Sequence, residues 1–70
     1  MNKQLMKYIP KEYKELVEDI YEGEKVWNEI TNVWNTYLIV EWKNGEVTEF
    51  QNKSYARNVL KEFHSPEEYK

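Results

Sequence analysis

Thr36-Tyr37-Leu38-Ile39-Val40-Glu41-Trp42-Lys43-Asn44-Gly45-Glu46-Val47-Thr48-Glu49-Phe50-Gln51 is the stretch that decides the fold. Its first eight residues are rich in β-branched and aromatic side chains, which suit a pleated strand. Asn44-Gly45 follows, a strong hairpin signal because both residues accept positive φ. Glu46 to Gln51 then returns as the partner strand. A two-residue turn predicts Lys43 opposite Glu46, Trp42 opposite Val47 and Ile39 opposite Phe50. In that register Leu38, Val40, Trp42 and Val47 share one face, while Tyr37, Ile39 and Phe50 share the other. Both faces carry apolar groups, so helices are expected over one and a partner or a second copy over the other.

Working towards the N-terminus, residues 24–35 read in two ways. Val26, Trp27, Ile30, Val33 and Trp34 fit a helical stripe, but β-branched content and the turn formers Asn32 and Asn35 favour a strand through Val26–Val33. Upstream, Tyr13, Leu16, Val17, Ile20 and Tyr21 recur at helical spacing. Pro10 suits the first turn of a helix and Gly23 suits a left-handed cap. These signals predict a helix over residues 11–22. On the C-terminal side, Asn52 or Ser54 caps a helix whose apolar stripe is Tyr55, Ala56, Val59, Leu60 and Phe63. Ser65-Pro66-Glu67-Glu68 reads as a capping box opening one more turn. The order is helix, three-stranded antiparallel β-meander, helix: an α+β two-layer fold in a single small domain, residues 1–70, with weak order expected at 1–9 and 65–70.

The chain has 70 residues and no cysteine, so neither disulfides nor cysteine-ligated zinc can brace it. No run approaches the ~20 apolar residues of a membrane span, and the first residues lack the apolar core of a secretory signal. A cytoplasmic protein with no membrane association is the expectation. Residues 1–14 carry four lysines against one glutamate, whereas the remainder carries six basic and twelve acidic side chains. An acidic body argues against direct nucleic-acid binding, which needs clustered Lys and Arg. It suits docking onto a basic protein surface, or simply solubility.

Enzyme signals are poor. His64 stands alone at a helix end, Ser54 and Ser65 read as caps, and two glycines make no phosphate-cradling loop. No cofactor, metal or catalytic set is assigned. The acidic residues have a pattern: Glu12, Glu15, Asp19 and Glu22 repeat along one face of the expected first helix, with Glu18 beside them. Helical neighbours there lie about 5–6 Å apart, a spacing comparable to backbone phosphates. Glu41, Glu46 and Glu49 add charge from the strands. The plain alternative is the solvent face of an amphipathic helix. Three tryptophans, six tyrosines and two phenylalanines are more ring surface than so short a chain easily hides. Trp27, Trp34, Tyr37 and Trp42 are therefore candidate partner-binding or dimer-forming residues, with core packing as the alternative for each.

In general character, short and rich in Asn, Lys, Glu, Ile and Tyr, the chain resembles small acidic bacteriophage proteins that take over a host cell. Some of that group mimic DNA. The resemblance implies an inhibitor of a host protein with a basic surface, such as a nucleoid-associated histone-like DNA-binding protein, acting in the host cytoplasm. The acidic and aromatic residues above would be its contacts. The competing expectation is a small structural or regulatory protein that mainly forms homodimers through its aromatic hairpin.

Overall fold

Asn44 and Gly45 do turn the chain, but the turn is one residue longer than the sequence suggests. In the computed structural model, which describes residues 2–70, strand β2 (Val33–Trp42) pairs antiparallel with β3 (Val47–Phe50). Gly45 N–H donates to Trp42 C=O at 2.9 Å, and Trp42 N–H donates to Glu46 C=O at 2.8 Å. The loop is thus Lys43-Asn44-Gly45, with Gly45 at φ +94° as the left-handed residue of a three-residue hairpin. Leu38 faces Phe50, Ile39 faces Glu49, Val40 faces Thr48 and Glu41 faces Val47. The expected two-residue turn and its pairs are therefore corrected by one position. Such a slip moves every β3 side chain to the opposite face. Phe50 enters the core beside Leu38, and Val47 is left exposed. The gain is physical: the larger ring is buried, and Thr48 Oγ1 accepts a 2.8 Å hydrogen bond from the buried Trp42 indole.

The helix expected over 11–22 is a single turn. Helix α1 spans Lys11–Lys14, after Pro10 in extended conformation, and strand β1 then runs over Val17–Asn28. Gly23 is not a helix cap; it sits within β1. Two irregularities explain the misleading spacing. The pairing with β2 slips between Val17 and Asp19 and again between Glu22 and Lys25. A bulge inserts one residue, so Val17 and Ile20, three apart, face the same way and imitate a helical i, i+3 pair. At Gly23 a Cβ would stand 3.0 Å from Ile39 Cδ1 and 3.2 Å from Tyr37 Cβ, so the bulged strand closes on β2 because glycine is there. The strand favoured across residues 26–33 is likewise divided. Residues 26–28 end β1, residues 29–32 turn, and Val33 begins β2.

The sheet order is β1-β2-β3, an open antiparallel meander. One face is covered by the two chain ends and α2. Leu5 and Ile9 come from the 3₁₀ turn Leu5–Tyr8 and the residue after it, and Tyr13 from α1. Asn52 caps the segment leading to α2 (Ala56–Phe63): its side chain accepts from Ser54 N–H at 2.9 Å. Ala56 and Leu60, one turn apart, are the buried face of α2. Ser65 and Glu68 form a reciprocal capping box that starts the 3₁₀ turn Pro66–Tyr69. Tyr69 closes the core. Its ring stacks on Trp42 with centroids 3.8 Å apart and planes 11° off parallel. Tyr13 lies edge-on to Tyr69 at 6.1 Å and tilted against Trp42 at 6.0 Å, and its hydroxyl donates to Leu60 C=O at 2.9 Å. The terminal segments thus lock through three rings over β2. Among the described residues no helix is long and apolar enough to cross a membrane.

Candidate functional site

The first two strands are longer than the layer that covers them. Leu38 to Glu41 is the part of β2 paired with β3, so residues 24–28 and 33–37 form a two-stranded arm beyond the third strand. Its tip is a four-residue loop ordered by Asn28, whose Oδ1 accepts from Ile30 N–H at 2.9 Å and Thr31 N–H at 3.2 Å. Asn32 donates back to Asn28 C=O at 2.8 Å and adopts φ +57°, a left-handed conformation that asparagine tolerates. The turn is therefore built by hydrogen bonds rather than by burial, and it holds Ile30 out at 92% exposure.

Trp27 and Trp34 are direct cross-strand partners on this arm. Their rings meet edge to face, 5.5 Å apart at 65°. That geometry suits the aromatic quadrupole and rigidifies the arm. The pair nevertheless remains 44% and 63% exposed. Val26 and Val33 are exposed on the other face of the arm, where an open groove of about 340 Å³ runs from Val26 and Ile30 to Tyr37 and Gln51. The arm thus exposes apolar groups on both faces, and exposed apolar surface beyond a core is of the kind that marks interaction sites. Trp42, expected with these residues, is 1% exposed and belongs to the core. Its position is a correction: the helical layer reaches Trp42 but ends short of Trp34, on the same face of the same strand.

The acidic residues do not form the helical row. With no helix through Asp19 and Glu22, Glu12, Glu15, Asp19 and Glu22 cannot share one face. Glu12 and Glu15 are exposed around the α1 turn and Glu18 at the first bulge. Glu22 lies opposite Leu38 and is ion-paired to Lys53 Nζ at 2.9 Å, a contact that raises the ammonium pKa. Glu46 folds back over the hairpin loop, where Asn44 Nδ2 donates to its carboxylate at 3.2 Å. Three carboxylates do converge, on the uncovered face of the sheet. Asp19 is paired with Glu41, and Glu49 stands opposite Ile39. Tyr21 donates to Glu41 Oε2 at 2.6 Å, and this bond, with the fields of Asp19 and Glu49, raises its hydroxyl pKa. Half-buried Tyr37 and Ile39 complete that face.

Tyr21, Val26, Ile30 and Val33 were missing from the sequence-derived set. Tyr21 sits at helical spacing in the sequence, which hides its place on a strand, and the others carry no signal separating an exposed arm from a core strand. His64 is better connected than a lone histidine suggests. Its Nδ1 lies 3.0 Å from Glu68 Oε2 and 2.9 Å from the Tyr69 hydroxyl. The contact with His64, together with Ser65 N–H, holds the Glu68 carboxyl below its ordinary pKa. These bonds fasten the last turn to the core. No group of three or more metal-ligating side chains occurs among the described residues. Comparison with known protein families, curated proteins and solved structures finds no match to this chain.

Proposed function

We propose that this chain is a non-enzymatic protein-binding module that docks through its aromatic arm, with the acidic patch on the opposite, uncovered face of the sheet contributing long-range steering to a protein of basic surface. The observation that carries the reading is the Trp27–Trp34 pair, ordered by its own turn and cross-strand contact yet left half exposed beyond the core. Tryptophan is the residue most enriched among binding hot spots, and a preordered pair loses little entropy on docking. Asp19, Glu41 and Glu49 supply complementary charge, which chiefly sets encounter rate and partner choice. Charge repeating at phosphate spacing along a helix no longer supports DNA mimicry. The form we propose is an inhibitor in the cytoplasm, a phage product in its host, that covers the basic surface of a DNA-binding protein.

A titration against a purified nucleoid-associated histone-like protein, with and without duplex DNA, tests this. Binding should compete with DNA and weaken steeply with salt. Trp27→Ser with Trp34→Ser should lower affinity by about tenfold to a hundredfold. Unchanged binding by that double variant would refute the role of the arm. Salt-insensitive self-association instead of binding would favour the homodimer reading.

A further inference from the structure

The two edges of the sheet are unlike. β1 is bulged twice and carries Glu18, Asp19, Glu22, Glu24 and Lys25, the irregularity and charge that discourage another strand from pairing. β3 pairs regularly with β2 and, among the described residues, has no strand on its other side. Trp42 and Glu46 form a hydrogen-bonded pair, so by antiparallel alternation Thr48 and Phe50 also bond towards β2. The backbone groups of Val47 and Glu49 therefore point out from the free edge.

Two open grooves lie along that edge, between β3 and the segments at the two ends of α2. One groove of about 260 Å³ lies between Glu49-Phe50 and Tyr55, the residue before α2, with Val59 of α2. A second, of about 270 Å³, continues between Val47-Thr48 and His64 at the helix end. Tyr55, Val59 and Phe63 fall one helical turn apart on one flank of α2. Tyr55 is 61% and Phe63 71% exposed, an apolar overhang beside the strand. Glu46, Glu49 and Glu68 line the two grooves, and no lysine or arginine does.

We propose that the trench between β3 and α2 is a strand-addition site for an extended peptide of alternating apolar and basic residues. The peptide's backbone pairs with Val47 and Glu49, its apolar side chains fill the space under Tyr55 and Val59, and its cationic side chains point to the other face of the sheet, where Glu49 stands, with Glu46 and Glu68 adding negative field at the end of the trench. Strand addition of this type takes affinity from main-chain bonds and specificity from alternate side chains. At about 3.4 Å per residue, the edge from Val47 to Gln51 accommodates about five residues. A second copy of this chain is the poorer occupant, because its own β3 would bring Glu46 and Glu49 against the same two residues.

The test uses a blocked hexapeptide of alternating lysine and valine, titrated into the full chain and followed by amide chemical shifts and hydrogen exchange. Exchange at Val47 and Glu49 should slow by about tenfold or more at saturation. Glutamate-valine peptide should fail, as should the lysine-valine peptide N-methylated on its pairing edge. Glu49→Pro removes an outward N–H without touching the β2 ladder and should abolish the protection at Val47. Glu49→Lys, which changes only a side chain, should weaken binding about threefold to tenfold. Equal binding of the N-methylated peptide, shifts centred on Trp27 and Trp34, or protection that grows with protein concentration alone would each overturn the proposal. The Trp27→Ser, Trp34→Ser variant should respond normally, so this site and the docking arm stand or fall separately.

Discussion

Replacing Tyr69 by alanine tests whether the chain end is part of the core. The ring is 3% exposed, stacked on Trp42 and edge-on to Tyr13. A buried tyrosine withdraws about 150–250 Å² from water, which at about 25 cal/mol per Å² gives an upper bound of about 4–6 kcal/mol. A compact denatured chain lowers this to about 3–5 kcal/mol, the usual cost of deleting a buried ring. A domain of this length has a total stability of about 4–10 kcal/mol, so Tyr69→Ala should remove a large share of it. Tyr69→Phe keeps the stack and loses the hydroxyl's contacts with His64 and Thr48, at about 0.5–1.5 kcal/mol each. Urea unfolding followed by circular dichroism gives both values by linear extrapolation. A loss below about 1 kcal/mol for Tyr69→Ala would refute the docked end and, with it, the three-ring lock over β2.

Thr48→Val should destabilise by about 1–3 kcal/mol in the same assay, because the buried Trp42 indole N–H loses its acceptor, while Thr48→Ser should be far milder. Burial pushes the Tyr13 and Tyr69 hydroxyls above the ordinary tyrosine pKa of about 10. The folded chain then keeps protons that the unfolded chain loses, so stability is intact below about pH 10 and falls as pH rises towards the folded values. The slope for each of the two stays below the one-proton limit of about 1.4 kcal/mol per pH unit, and Tyr13→Phe should remove its share in unfolding measured across alkaline pH.

The sequence by itself determined the α+β class, the antiparallel hairpin at Asn44-Gly45, a cap at Asn52 or Ser54, of which Asn52 is the one used, and the capping box at Ser65–Glu68. Each of these rests on contacts within a few residues, where local chemistry decides. It also indicated that rings and carboxylates exceed what the core can use. Trp27 and Trp34 are indeed the exposed pair, but nothing local separates them from Trp42. All lie on strands with similar chemistry, and only the reach of the helical layer buries one and leaves the others out. The same holds for the acidic set, since Asp19 meets Glu41 and Glu49 only once three strands are aligned. Tertiary structure alone decided the bulges of β1, which let Val17 and Ile20 share a face at helical spacing, and the hairpin register. Both short turns satisfy Asn-Gly; burying Phe50 and giving the Trp42 indole its acceptor in Thr48 selects between them, and those partners lie outside the turn itself.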